Sequence, residues 1–354
     1  MYKILAINPG STSTKVAVYD GEELVTELTL RHSAEEISRY PDIASQFAFR
    51  KRIVLEAVCD AGVDLSTLDA VIGRGGLVKP IPSGVYEVND RLKEDLIHPV
   101  GEHASNLGGL IAREIADELG IRAFIADPVV VDELQEEARV TGLAGVSRRS
   151  IFHALNQKAM ARRYAEEIGR RYEALNLIVA HMGGGISVGA HCRGRVIDVN
   201  NCLDGEGPFS PERAGTVQAG DLVSLCFSGR YSEPEVRRMI TGKGGLVALL
   251  GTNSVQEVVA RTQAGDAEAK RVLDAMSYQV GKAIGAAAAV LHGAVDAIIL
   301  TGGIAHNAPV CDYIRKMTDF IAPVVVRPGE NELEALAMNA LRVLRGEIEP
   351  LVYA

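Results

Sequence analysis

The sequence predicts an α/β protein built from two related sheet domains, and this prediction rests on three observations. A strand, a turn and a second strand open the chain at 3–19, and the pattern returns at 177–190 around a glycine-rich turn. The segment LDAVIGRGGL at 68–77 aligns without gaps with VDAIILTGGI at 295–304. Both pairs occur in the same order, so we expect a duplicated unit, with mixed sheets and flanking helices around a central cleft.

Hydrophobic spacing and turn residues place the individual elements. In the first half, strands are predicted at 3–19 on both sides of a turn, at 24–30, from 68 into a glycine turn, and at 123–126, with helices at 43–61, 91–97 and 105–119. In the second half, helices are predicted at 155–172, 233–240, 253–264 and 267–292, strands at 177–190 and 196–199, and a final strand at 295–303. Helices then close the chain, the last at 332–344. We expect a first domain over 1–150, joined by the last helix over 331–346, and a second domain over 151–330.

The composition disfavours several classes of protein. The chain has 354 residues, of which 47% are hydrophobic and 23% charged, and its formal net charge is -9. It has no basic block, so we expect no nucleic-acid partner. It has no apolar run of about 18 residues and no signal-peptide pattern at its start, so we expect no membrane span and a cytoplasmic location. The five cysteines are scattered, which disfavours a disulfide framework and a cysteine-rich zinc site.

Three polar turns that contain glycine follow apolar strands, at 8–15, 181–185 and 301–307. The first combines backbone N–H groups, hydroxyls and one lysine with no acid, which suits phosphate oxygens, although a plain hairpin turn has the same composition. Glycine also lets a backbone approach a phosphate or a flat base closely. Two common nucleotide motifs are absent, because the sequence contains no G-x-x-x-x-G-K-[ST] and no G-x-G-x-x-G after a strand.

The run GISVG at 185–189 matches G-x-S-x-G, the pattern around the nucleophile of many hydrolases. That motif needs a helix directly after its serine. The residues that follow Ser187 predict another strand, so a hydrolase is disfavoured.

Several polar side chains near the turns are candidates for chemistry. Arg74 stands among glycines at a strand end, which favours a ligand over a surface position. Asp127 either caps a turn before Pro128 or takes part in chemistry, and His153 is either a loop residue or a functional one. Glu332 begins the last helix, where the helix dipole favours an acid in any case.

These motifs resemble those of the acetate and butyrate kinase family across essentially the whole chain. The run LAINPGSTSTK at 5–15 is similar to the first signature of that family, HMGGG at 181–185 to its second phosphate loop, and TGGIAHN at 301–307 to its adenosine loop. Further residues fall in the family's order, and these are Arg74, His103, Asp127, His153 and Glu332. The resemblance implies two actin-like ATPase domains with an RNase H-like fold, which act on ATP with Mg²⁺.

Within this family the chain resembles the butyrate kinase branch, because it is short and carries NNCLDGEGPFSPER at 200–213. One segment departs from the family pattern. Acetate kinases have a Gly-Thr-Arg-x-Gly-Asp run with a transition-state arginine, whereas GTVQAGD at 215–221 has Val217 in that place. Either that role is lost or Arg213 takes it over, and we predict the latter.

The resemblance also implies a reaction and a set of roles. The γ-phosphoryl group of ATP passes in line to a short-chain carboxylate, butanoate first, and gives an acyl phosphate. Arg74 is expected to hold the carboxylate, His153 and Arg213 the phosphoryl oxygens, and Asp127 the metal, directly or through water. The predicted metal ligands are Glu332 and Asn8. The predicted phosphate and nucleotide contacts are Asn8, Ser11, Ser13, Lys15, His181, Gly183, Gly184, Gly185, Gly302, Gly303, Ile304 and Asn307.

The sequence leaves several alternatives open. Isobutyrate, acetate and propionate remain candidate acids. Two rival classes are a kinase or phosphatase for another substrate on the same fold, such as a sugar kinase or a polyphosphate phosphatase, and a non-catalytic ATP-binding regulator. A homodimer or a larger homo-oligomer is expected.

Overall fold

A computed structural model describes residues 1–99, 101 and 103–354. The chain divides into two compact units, which are Met1–Val131 with Asn331–Ala354, and Asp132–Glu330. The boundary expected at residue 150 is therefore displaced to 131. The reason is local bonding, since the N–H of Gln135 donates to the carbonyl of Ile197, and Lys158 Nζ lies 2.8 Å from Glu133 Oε2, within the second unit.

The elements are the following. The strands are β1 (Lys3–Pro9), β2 (Ser13–Asp20), β3 (Glu23–Arg31), β4 (Ala70–Arg74), β5 (Val85–Glu87), β6 (Arg122–Ala126), β7 (Asn176–Met182), β8 (Ile186–Cys192), β9 (Arg195–Val199), β10 (Ala297–Gly302) and β11 (Val324–Pro328). The α-helices are α1 (Ala34–Ser38), α2 (Phe47–Asp60), α3 (Asp90–Ile97), α4 (Asn106–Leu119), α5 (Glu136–Arg139), α6 (Ala154–Glu167), α7 (Ala219–Cys226), α8 (Glu233–Ile240), α9 (Gly245–Leu250), α10 (Val255–Gln263), α11 (Ala267–Val290), α12 (Ala308–Thr318) and α13 (Glu332–Leu344).

The two sheets share a five-strand topology, and the first sheet has β5 as an additional edge strand. The first sheet has the order β3-β2-β1-β4-β6-β5, and the second has the order β11-β10-β7-β8-β9. In each sheet the first three strands form an antiparallel meander, and the first strand then pairs in parallel with a later strand, β4 or β10. The mixed sheets and the duplication expected from the sequence are confirmed.

The parallel pairs bring candidate residues to one edge of each sheet. Ile7 pairs with Gly73 and Arg74 with Ala126, so the carboxyl ends of β1, β4 and β6 lie side by side. In the second sheet Thr301 pairs with His181, so β7 and β10 also end together. Ligands of open α/β sheets bind at such an edge.

The second sheet is buried on both faces. Successive side chains of a strand point to opposite sides, and each side packs against helices. Ile178 and Ala180 of β7 belong to a large apolar cluster with residues of α11. Leu177 and Val179 pack instead with Ala161 of α6. Among the described residues, no helix is both long and apolar enough to cross a membrane.

The last helix packs on the first unit. Leu336, Ala337 and Ala340 of α13 are fully buried, and the helix contacts β1 and β4. One element departs from expectation, since β11 follows β10 where only helices were expected. Its core is the run Val324-Val325-Val326, which is too short to show a periodicity of its own.

Candidate active site

Three predicted residues come together at the carboxyl-terminal edge of the first sheet. Asn8 lies near the end of β1, Arg74 ends β4, and Glu332 begins α13. Arg74 Nη1 lies 2.9 Å from Glu332 Oε2, and Asn8 Nδ2 donates to the same oxygen at 2.6 Å. The side chains of Arg74 and Glu332 are only 20% and 10% exposed, so this ion pair is shielded from bulk water.

The same cluster supplies the oxygen atoms that a hard cation prefers. Within the ranges that the structure describes, no three His, Cys, Asp or Glu side chains group to hold a metal ion. Mg²⁺ needs no such cage, because it is usually held by one or two carboxylates together with substrate phosphates and water. The Glu332 carboxylate and the Asn8 amide oxygen fit that mode of binding.

The turn between β1 and β2 is held from behind by Arg50, which sequence reasoning missed. This fully buried guanidinium donates to the backbone carbonyls of Gly10, Ser11 and Ser13 at 2.7, 3.1 and 3.2 Å. Three carbonyl oxygens of the turn are thereby engaged by a cation. Ser11 is exposed and Ser13 is half-buried in this turn.

A sequence signal for Arg50 does exist. Arg50, Val54 and Val58 are the buried residues of α2, and they recur at every fourth position. An arginine on the apolar face of a helix needs a polar partner inside the protein.

Lys15 pairs with Asn8 in the β1–β2 hairpin and is exposed, so its ammonium group is open to solvent.

Asp127 directly follows β6 and is buried. Its Oδ1 accepts hydrogen bonds from the Ser83 hydroxyl at 2.6 Å and from the Gly84 N–H at 3.0 Å. Its backbone is left-handed, with φ at +39°, which is uncommon for a residue other than glycine. The carboxylate is therefore fixed in place by loop 83–84, at the same sheet edge as Arg74.

The glycines around Arg74 have a packing role. A Cβ at Gly73 would overlap the backbone of Gly108, and a Cβ at Gly76 would overlap the side chain of Asn106. Both neighbours belong to the first turn of α4. These glycines let α4 approach β4 closely, and they thereby fix the direction in which Arg74 leaves the strand.

Two histidines stack on each other in the second unit. His181 lies near the end of β7, and His153 precedes α6. Their ring centroids are 3.8 Å apart, and the planes differ by 15°. His153 Nδ1 lies 2.9 Å from Ser187 Oγ, and His181 Nδ1 lies 2.8 Å from Asn156 Oδ1, so both rings are fixed in orientation.

Arg213 lies against the second glycine-rich turn. Its Nη1 donates to the carbonyl of Cys202 at 2.6 Å, and a Cβ at Gly185 would overlap its guanidinium group. Cys202 Sγ in turn lies 3.9 Å from His153 Nδ1, which links Arg213 to the histidine pair. Val217, by contrast, is 45% exposed.

Burial raises the pKa of the Cys202 thiol, which keeps it protonated near neutral pH and disfavours it as a nucleophile.

The third turn adjoins the second one through the β7–β10 pairing. Gly302 has φ of +86°, and a Cβ there would overlap the backbone of Met182. Gly303 is exposed and has open space around its Cα, so a flat ligand can approach it. Ile304 is buried, and Asn307 Nδ2 donates to its carbonyl at 3.1 Å, which closes the turn. The turn at 183–185 follows His181 on the neighbouring strand.

Comparisons with known proteins identify the family of the chain. The model of the acetokinase family matches residues 139–320. Butyrate kinase 1 of Clostridium acetobutylicum is 59% identical over 348 residues, which cover 98% of each chain.

Solved structures show the same fold. The acetate kinase of Porphyromonas gingivalis superposes with a TM-score of 0.81 at 20% identity, covering 97% of this chain and all of the other. A propionate kinase of Francisella tularensis reaches a TM-score of 0.74 at 17% identity, covering 95% of this chain and 98% of the other. The matched segment and the full-length relative together show that the chain is a member of the acetokinase family of kinases.

Proposed function

We propose that the protein transfers the γ-phosphoryl group of ATP to butanoate and forms butanoyl phosphate and ADP. The observation that carries this proposal is the 59% identity to a butyrate kinase over 98% of both chains. The cluster of Arg74, Asn8 and Glu332 supports it, because it offers a cation for a carboxylate beside oxygen ligands for a metal.

The chemistry needs no general base. A short-chain carboxylic acid is ionised at neutral pH, so its oxygen is already a nucleophile. One carboxylate oxygen forms a bond to the γ-phosphorus, the bond to the β,γ-bridging oxygen breaks, and ADP leaves with that electron pair. The difficulty is the approach of two anions, which positioned cations and hydrogen-bond donors relieve.

In this proposal Arg74 holds the acid. The Arg74 guanidinium binds the carboxylate through two parallel hydrogen bonds, since its planar fork matches that group. In the structure Glu332 occupies one side of this fork. When the substrate binds, Arg74 either weakens its ion pair with Glu332 or contacts both carboxylates. Ser11, Ser13 and Lys15 donate to phosphate oxygens from the turn that Arg50 supports.

Further side chains are proposed to stabilise the transferred phosphoryl group. His153 and Arg213 donate to its equatorial oxygens, and His181 with the backbone of 183–185 contacts the phosphate chain. Gly302, Gly303, Ile304 and Asn307 contact the adenosine.

We further propose that Mg²⁺ accompanies ATP, with Glu332 and Asn8 as ligands and Asp127 acting directly or through water. When bound, the ion neutralises phosphate charge and orients the nucleotide. A homodimer or larger homo-oligomer and a cytoplasmic location belong to the same proposal.

The test measures acyl-phosphate formation directly. Purified protein, ATP and Mg²⁺ are incubated with each of acetate, propionate, butyrate, isobutyrate and valerate, and hydroxylamine converts any acyl phosphate to a hydroxamate. We expect kcat/KM to be highest for butyrate. A maximum at isobutyrate or acetate would change the assigned acid. Release of ADP without any hydroxamate would point to a sugar-kinase-like activity or to hydrolysis. If neither ADP nor hydroxamate forms, a regulator would be favoured.

A further inference from the structure

The second unit contains a buried chain of hydrogen bonds that ends on His153. The chain runs through residues that are each no more than 4% exposed, namely Tyr172, His191, Gln157 and Ser187. Ser187 is the serine of the GISVG run, and the function proposed above gives it no role. The donors and acceptors along this chain can be assigned one after another.

The side-chain amide of Gln157 has only one acceptable orientation. Gln157 Nε2 lies 3.0 Å from the backbone carbonyl oxygen of Ser187. A carbonyl oxygen can only accept a hydrogen bond, so the NH₂ end must face it. Gln157 Oε1 then faces His191 Nε2 at 2.9 Å, and that nitrogen must carry a hydrogen.

His191 is consequently neutral and of known tautomer. Complete burial lowers the pKa of His191 well below its ordinary value, so the ring carries one hydrogen, on Nε2. Its Nδ1 has a lone pair and accepts from the Tyr172 hydroxyl, which lies 2.6 Å away. The hydrogen-bond chain therefore ends, on the side away from His153, at the Tyr172 hydroxyl, which acts as a donor.

The hydroxyl of Ser187 has its direction set by two donors. Gln157 Nε2 donates to Ser187 Oγ at 2.8 Å, and the backbone N–H of His153 points to the same oxygen at 3.5 Å. With both lone pairs of the oxygen engaged, its own hydrogen is available for His153 Nδ1, 2.9 Å away. Nδ1 of His153 accepts, and the ring hydrogen lies on Nε2.

The partner ring has the opposite tautomer. Asn156 Nδ2 donates to the carbonyl of Glu330 at 2.8 Å, so Asn156 Oδ1 faces His181 Nδ1, which must carry a hydrogen. Groups that also lie near the two rings include the Glu330 carboxylate, 3.7 Å from His181 Nε2, the Cys202 thiol beside His153, and Arg213, which binds the Cys202 carbonyl. Two stacked cationic rings at 3.8 Å would repel each other strongly.

We propose that Ser187, Gln157, His191 and Tyr172 are positioning residues that hold His153 as the neutral Nε2–H tautomer. His153 then acts as a neutral hydrogen-bond donor to the transferred phosphoryl group. The identity of the acceptor rests on the proposed function, whereas the tautomers of the two rings do not.

The test is ¹⁵N NMR of the full chain labelled at histidine, near pH 7.5, because ring nitrogens with and without hydrogen have well-separated shifts. The signals of His153 are identified by their loss in His153→Gln. We expect the Nε2–H tautomer in the wild type. In Ser187→Ala we expect a mixture of tautomers and a fall in kcat of about 10-fold, with little change in the KM for the carboxylate. Ser277→Ala, at a buried serine of α11 whose hydroxyl donates to the Leu273 carbonyl, should leave both readouts unchanged.

An Nδ1–H tautomer or a doubly protonated His153 in the wild type would overturn the assignment, and so would unchanged His153 signals in a folded Ser187→Ala protein. If Ser187→Ala does not fold, the wild-type spectrum still decides the tautomer, and Tyr172→Phe tests the far end by shifting the His191 Nδ1 signal. The Nε2–H tautomer in a wild type that forms no hydroxamate would leave the hydrogen-bond chain standing and overturn the catalytic role of His153 together with the proposed function.

Discussion

At the scale of single residues, Arg74 makes the contact that most directly predicts substrate binding. Its guanidinium is held by Glu332 and lies 3.3 Å from Asn8 Oδ1, in a partly buried site. We expect Arg74→Ala to raise the KM for butyrate about 10- to 100-fold, since hydrogen bonds to charged groups contribute about 1.5–3 kcal/mol. The affinity for ATP, measured by calorimetry, should change little.

Arg122→Ala is a matched control for this change. Arg122 also pairs with a glutamate, Glu87, but it begins β6 and is 42% exposed. Its removal should leave the KM for butyrate near that of the wild type. Equal KM values for Arg74→Ala and the wild type would contradict the role of Arg74.

The burial of His191 makes the stability of the protein depend on pH. Burial lowers its pKa in the folded state, so the unfolded chain binds a proton more readily as the pH falls below about 6.5. Its contribution to stability is present above that pH and is lost as the pH falls. The free energy of unfolding should fall by up to about 1.4 kcal/mol per pH unit for this group, as measured by urea denaturation at pH 7.5, 6.5 and 5.5.

A substitution isolates this term. His191→Gln should flatten the pH dependence below about 6.5, whereas His98→Gln, at an exposed histidine after α3, should not. A slope in His191→Gln equal to that of the wild type would assign the acid sensitivity to other groups. His32 is a second candidate, because burial and the nearby Arg50 also lower its pKa.

At the scale of elements, α2 supports the phosphate turn through one side chain. Arg50→Lys keeps the charge but cannot reach three carbonyls with a fixed fork. We expect the KM for ATP to rise several-fold and the free energy of unfolding to fall by about 2 kcal/mol. Arg52→Lys, on the same helix but 60% exposed and paired with Glu56, is the control. An Arg50→Lys protein with wild-type KM and stability would contradict the role of Arg50 in supporting the phosphate turn.

The elements also show what the sequence could and could not predict. Asn8, Arg74 and Glu332 were candidates because they belong to segments that resemble the family's motifs; the structure places them together, and their roles stay predictions. Arg50 was missed because its helix looked like an ordinary amphipathic one, and the chain through Ser187 was missed because its members are distant in sequence. β11 was missed because three valines show no period, and only its parallel pairing with β10 makes it a strand.

At the scale of the whole molecule, the chain returns to its first unit at the end. α13 buries Leu336, Ala337 and Ala340 there, and the Tyr353 hydroxyl donates to Asp95 at 2.7 Å. A chain truncated after Glu330 should therefore lose the stability of residues 1–131 before that of 132–330. Limited proteolysis with mass spectrometry should show early cleavage in the first unit. Equal resistance of both units in the truncated chain would contradict this assignment of α13.

The proposed reaction requires that a carboxylate oxygen attacks the γ-phosphorus of ATP. Butyrate labelled with ¹⁸O at both carboxyl oxygens is incubated with the protein, ATP and Mg²⁺, and the product is observed by ³¹P NMR. We expect an acyl phosphate whose phosphorus signal carries the isotope shift of one bonded ¹⁸O. If the phosphoryl group that leaves ATP appears in a product without that shift, the acid is not the acceptor. That result would contradict the proposed function.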